Sequence, residues 1–141
     1  MSVPFVDLKS QFQRIQLQIE GRINTVLKHG KYIQGPEVAE LEHKLAEFCG
    51  VRHAVGVSSG SDALLVALLA ENIGPGDAVF LPAFTFTATA EVILLAGATP
   101  VFVDVDSNNY NISIPSLEMA IAHVETLPGL TAKAIMPVDL F

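Results

Sequence analysis

Val55-Gly56-Val57-Ser58-Ser59-Gly60-Ser61-Asp62-Ala63-Leu64-Leu65 is an apolar run that breaks at small residues and resumes at helical spacing through Leu68 and Leu69. The pattern predicts a strand, a tight turn and a helix. A helix start leaves backbone N–H groups without intrahelical partners, and together with the positive end of the helix dipole they suit a phosphate. An ordinary capped turn, with Ser59 or Ser61 as N-cap, accounts for the same residues. Local pattern leaves both readings open, because the more demanding Gly-x-Gly-x-x-Gly and Walker-type loops are absent.

The alternation repeats outward from this stretch. Strands are expected at 53–57, 78–81, 99–104 and 132–138, with helices at 61–72, 87–96 and 115–124 between them. Short apolar strands separated by helices predict βαβ units, hence an α/β fold with a mainly parallel sheet and flanking helices. Upstream, Phe12, Ile15, Ile19, Ile23, Val26 and Leu27 recur at three- and four-residue spacing and predict a helix over 9–29, stopped at Gly30. Pro36 opens a second helix, with Val38, Leu41, Leu45 and Phe48 as its apolar stripe. The organisation read from this is a helical arm and connector over 1–34 and a sheet-bearing domain over 35–141. The closing run Ile135-Met136-Pro137-Val138-Asp139-Leu140-Phe141 stops where a strand hands over to a loop, and is expected to be cut from a longer chain.

Composition narrows the function classes. A length of 141 residues suits one core, and half of them are hydrophobic, which excludes a disordered chain. The formal charge of −7 without a basic cluster argues against nucleic-acid binding. Every long apolar run is interrupted by Gly, Pro, Asp or Glu, so no membrane span is expected. The first residues lack the basic region and apolar core of a signal peptide, and a cytoplasmic protein is expected. The single cysteine, Cys49, excludes an internal disulfide and reads as a buried small hydrophobe between Phe48 and Gly50.

Candidate chemistry is sparse. Phe84-Thr85-Phe86-Thr87-Ala88-Thr89 follows the strand at 78–81, so it belongs to the sheet edge where ligands of parallel α/β proteins gather. An aromatic ring there can stack on a flat ligand, although core packing is the better local reading of Phe84 and Phe86. Asp104 and Asp106 lack further ligands at metal spacing and read as turn and helix-capping residues. His29, His43, His53 and His123 are scattered without visible catalytic partners, and no metal site is expected.

Taken together, several blocks resemble the DegT/DnrJ/EryC1/StrS type of nucleotide-sugar aminotransferase. They are Phe5-Val6-Asp7-Leu8-Lys9; Gly30-Lys31-Tyr32-Ile33-Gln34-Gly35-Pro36-Glu37-Val38; Ser59-Gly60-Ser61-Asp62-Ala63-Leu64; and Gly74-Pro75-Gly76-Asp77. Pro82-Ala83-Phe84-Thr85-Phe86-Thr87-Ala88-Thr89 and the run from Gly97 to Asp106 continue the series. The resemblance implies pyridoxal phosphate (PLP) and an incomplete large domain of the aspartate-aminotransferase-like fold (fold type I). It also implies a homodimer, and amino transfer from an amino-acid donor to a keto-sugar nucleotide. By position, Gly60, Ser61 and Asp62 would hold the cofactor phosphate through backbone N–H groups and the Ser61 hydroxyl, Phe86 would stack on the pyridine ring, and Tyr32 would border the sugar-nucleotide site.

Two departures qualify this. The family's Schiff-base lysine would lie beyond Phe141, and Lys9, Lys28, Lys31, Lys44 and Lys133 do not match its position. The expectation is therefore a chain that has no catalytic residue of its own, binds PLP weakly or not at all, and is inactive alone. In the family's sheet, the strand corresponding to 53–57 is separated from the other three by later strands. Here it is expected to stay unpaired, pair with another copy, or close onto the strand at 132–138, with self-association or rearranged pairing sustaining the fold. A PLP-dependent sugar dehydratase of the same family and a non-catalytic dimerisation or binding module are the alternative functions.

Overall fold

The computed structural model describes residues 5–140, so the outermost ends of both expected segments, 1–4 and 141, lie outside the described residues. The chain clusters into two compact units, residues 1–56 and 57–141, and the boundary expected at 34/35 lies inside the first.

The first unit holds α1 (Leu8–His29) and α2 (Pro36–Cys49). Asp7 caps α1 by accepting the Ser10 N–H at 2.9 Å, and Gly30 ends it in the left-handed conformation, where a glycine carries no Cβ penalty. The connector is tightly built. His29 Nε2 lies 3.2 Å from both Glu37 carboxylate oxygens, and the Lys31 N–H donates to His29 Nδ1 at 3.0 Å. Gly35 is required there, because a Cβ would overlap the Lys31 carbonyl oxygen. Arg22 pairs with Glu40, which also accepts from Lys44 at 2.6 Å.

The expected apolar stripes of these helices are present but not covered. No α1 residue is buried, and Ala46 alone is buried on α2. Cys49 is exposed, which corrects its reading as a buried hydrophobe. It closes a helix whose partner, α1, buries none of its own residues and so offers no enclosed interior. Residues 53–57 are also corrected: they form no strand, and Val55 is 76% exposed. A strand exists only as half of a ladder, and an apolar run supplies no partner by itself. Rearranged pairing does not occur either, since β3 pairs with β1 alone.

The second unit is a βαβ assembly: α3 (Gly60–Ala70), β1 (Asp77–Pro82), α4 (Ala88–Leu95), β2 (Thr99–Val103), α5 (Ile114–Glu125) and β3 (Thr131–Ile135). The sheet order is β2-β1-β3 and both pairings are parallel, as the alternation of short strands and helices predicts. Ala78↔Thr99 and Asp77↔Thr131 begin the two registers.

β1 is the centre of the core because successive side chains face opposite sides of the sheet. Val79 and Leu81 pack with Leu68, Ile73, Val92, Ile93 and Ala98 beneath α3 and α4. Ala78 and Phe80 pack with Val103, Leu117 and Val124 beneath α5. Burial on both faces explains why β1 reads as a continuous apolar run rather than an alternating one. Asp104 and Asp106 form local turns: Asp104 Oδ1 accepts the Val105 N–H and Asp106 Oδ1 the Asn108 N–H, both at 2.8 Å. The cap of α5 is Ser113, not an aspartate. No helix among the described residues is long and apolar enough to cross a membrane.

Candidate functional site

Parallel pairing brings the C-terminal ends of β1 and β3 to one edge of the sheet, and a cavity of about 380 Å³ opens there. Gly60, Ser61 and Leu64 of α3 line it, with Thr85 and Phe86 from the loop after β1. Ala88 and Thr89 of α4 and the residues Val138 and Leu140 after β3 complete the wall. The first turns of two helices therefore meet on one cavity, and their dipoles favour an anion there. The orphan N–H groups come from α3, since the Thr89 and Ala90 N–H groups of α4 are already bonded to the Phe86 and Thr87 carbonyls.

The α3 turn has a defined polar structure. Ser59 is the N-cap, its Oγ accepting the Asp62 N–H at 3.1 Å. The Asp62 carboxylate accepts in return from the Ser58 hydroxyl and, at 2.9 Å, from Ser59. Those bonds, the Ser58 one foremost, hold the Asp62 carboxyl below the ordinary carboxylate range. Asp62 is thus committed to the serines that shape the turn. By contrast, the N–H groups of Gly60 and Ser61 and the Ser61 hydroxyl have no partner among the described residues.

Phe86 stands 77% exposed at the cavity, and Phe84 is exposed with its ring centroid 5.6 Å from that of Tyr110. The reading of either as a core residue is corrected. Residues 78–82 already fill both faces of the sheet, and the chain leaves the ladder after the Ala83 N–H donates to the Val103 carbonyl at 2.8 Å. Residues 84–86 consequently project beyond the covered strands.

Of the residues singled out in the sequence, Gly60, Ser61 and Phe86 come together on the cavity, and Asp62 braces its rim. Tyr32 belongs to the first unit, where it is 66% exposed and lines a separate groove of about 590 Å³ with Ile23, Val26, Leu27 and Leu41. No lysine lines the cavity, and Lys133 lies within β3. Among the described residues no group of three or more His, Cys, Asp or Glu is placed to hold a metal.

Thr85 and Thr89 are cavity residues that the sequence reading passed over. Their signal is the spacing of two hydroxyls four residues apart across Phe86. Their Oγ1 atoms lie 2.8 Å apart.

Residues 13–141 match the model of the DegT/DnrJ/EryC1/StrS aminotransferase family. The chain is 45% identical over 139 residues to a UDP-2-acetamido-2-deoxy-3-oxo-D-glucuronate aminotransferase of Pseudomonas aeruginosa, covering 99% of this chain and 37% of that protein. A crystal structure of a DegT DnrJ EryC1 StrS aminotransferase from Brucella abortus superposes with a TM-score of 0.92 at 50% identity, over 99% of this chain and 37% of that one. NtdA from Bacillus subtilis, solved with bound cofactor PMP, superposes with a TM-score of 0.81 at 31% identity, over 99% of this chain and 31% of that one. The chain spans about a third of the length of these relatives.

Proposed function

Because this chain belongs to the DegT/DnrJ/EryC1/StrS aminotransferase family, we propose that it supplies the cofactor-phosphate cup and ring platform of a PLP-dependent enzyme. That enzyme moves an amino group from an amino-acid donor to a keto-sugar nucleotide. The carrying observation is the convergence of unpaired Gly60 and Ser61 N–H groups and an exposed Phe86 ring on one cavity at the strand ends. The donor set fits a phosphate ester: two backbone N–H groups, a hydroxyl and a helix dipole, with no carboxylate of the cavity wall facing it.

In this reading Gly60 and Ser61 donate N–H groups to the phosphate oxygens and the Ser61 hydroxyl donates a third bond. Asp62 keeps the turn in shape through Ser58 and Ser59, and Phe86 carries the flat ring on its face. Bound PLP would supply an electron-withdrawing ring that stabilises negative charge at the carbon exchanging its amino group. The cavity wall holds no lysine to bond the cofactor or to carry a proton between atoms of the bound substrate, so these 141 residues alone bind PLP weakly and do not transaminate.

Tyr32, exposed on its braced connector, borders the sugar-nucleotide site, and the working enzyme is a cytoplasmic homodimer. The activity of the Pseudomonas aeruginosa relative, an aminotransferase of a UDP-linked keto-sugar acid, supports that substrate class.

A titration of the chain with PLP, followed by backbone NMR, tests the cup at the weak affinity expected. Shifts should concentrate at residues 59–62 and 85–89. Ser61→Ala should weaken binding about ten- to a hundredfold, the worth of one hydrogen bond to a charged group. Phe86→Ala should weaken it further. Shifts confined to residues 1–56, or titrations that neither variant changes, refute the assignment.

A further inference from the structure

The geometry points to Thr89 as a positioning residue that fixes Phe86 at the mouth of the cavity by hydrogen bonds on both sides of it. This rests on the reading of Phe86 as a ring platform. Thr89 is the one buried polar residue of the core among the described residues, at 6% exposure. A hydroxyl at that depth is retained only where it is bonded, because an unpaired one costs free energy. Its bonds go to the residue before Phe86 and to Phe86 itself. The Thr89 hydroxyl meets the Thr85 hydroxyl at 2.8 Å, and the Thr89 N–H donates to the Phe86 carbonyl at 3.0 Å.

Phe86 needs such bracing. Its ring is exposed and has no aromatic partner among the described residues, so packing does not hold it. It stands immediately before Thr87, the first residue of the α4 boundary, which makes no side-chain cap. A residue at an uncapped helix start frays readily, and the ring would move with its backbone. Thr89 is the second residue of α4, itself buried and one turn before Val92 and Ile93, which anchor the helix in the core. It therefore passes the rigidity of the core to a residue outside it.

The sequence has no tryptophan, so Phe86→Trp gives the whole chain a single tryptophan reporter at the site, excited selectively over Tyr32 and Tyr110, without any ligand. In that background Thr89→Val removes the hydroxyl at nearly constant volume, and Thr89→Ser restores it. The expected result is lower steady-state anisotropy and stronger acrylamide quenching in Thr89→Val, with Thr89→Ser close to the parent. Thr85→Val, which breaks the same bond from its more exposed end, should copy Thr89→Val and covers the case in which the buried variant does not fold. Unchanged anisotropy in Thr85→Val, or a Thr89→Ser variant as mobile as Thr89→Val, overturns the inference. A separate PLP titration of each variant, on Phe86 rather than Trp, should show about three- to tenfold weaker binding for Thr89→Val. Loss of reporter mobility differences refutes the positioning role, whereas absence of PLP binding by the unmodified chain refutes the cup and leaves the reporter result standing as a test of Thr89.

Discussion

Ser59 does two jobs with one oxygen: it accepts the Asp62 N–H and donates to the Asp62 carboxylate. Its removal therefore costs a helix cap and loosens the turn beside the proposed phosphate cup. Ser59→Ala should destabilise the second unit by about 1 kcal/mol, read as a lower urea midpoint at unchanged slope, and Ser59→Thr should recover most of it. A midpoint that does not move would show that water caps α3 equally well. At this scale the sequence was informative wherever chemistry is local. The serines, the glycine at 60 and the break in apolar spacing mark the turn without reference to any distant residue. Phe86 was not legible in that way, because a phenylalanine after a strand looks the same whether the neighbouring helices cover it or stop short.

α1 and α2 illustrate how an element can be read correctly and its environment missed. Periodicity, Gly30 and Pro36 place both helices to within a residue or two of their observed bounds. The same periodicity implied buried stripes, yet Phe12, Ile15, Ile23, Leu27, Leu41 and Leu45 are all exposed. A stripe records what a helix face prefers, and coverage depends on what else is present to meet it. What couples the two helices is therefore largely polar, through Arg22–Glu40 and His29–Glu37. The hydrogen bonds from Arg22 and then Lys44 lower the Glu40 carboxyl from 4.5 to about 2. A carboxyl lowered in the folded state contributes stability above its unfolded value and loses it as the pH falls through the folded one. The α1–α2 pairing should accordingly be complete above about pH 4.5 and weaken between there and about pH 2. Proton NMR of the Glu40 side chain should titrate near the lower end of that window, and Glu40→Gln should reduce the pH response of α1 amide exchange, leaving the part carried by Glu37 and Asp7. A Glu40 midpoint near 4.5 would mean that the pairing is not formed in solution.

For the whole molecule, exposed apolar groups are the dominant surface feature. Ile33, Phe48, Val55, Phe86 and Leu95 stand open, as do the outer edges of β2 and β3. Such surface and unpaired edges favour association. The chain should show a mass that rises with concentration in size-exclusion light scattering, and a constant monomer mass would count against self-association. Fold class, strand direction and helix order were legible because each follows from spacing along the chain. The absence of a strand at 53–57 was not, since strand identity requires a partner that no local pattern supplies. The same dependence governs how the chain acquires its structure. β1 is the most buried strand of the sheet, yet among the described residues it pairs only with residues that follow it, Thr99–Val103 and Thr131–Ile135. On a ribosome its hydrophobic residues emerge well before either ladder can close, and parallel pairing across intervening helices is intrinsically slow. The central strand thus waits for both later strands before its two edges are protected, and the interval before β3 appears is when the nascent chain most needs a chaperone.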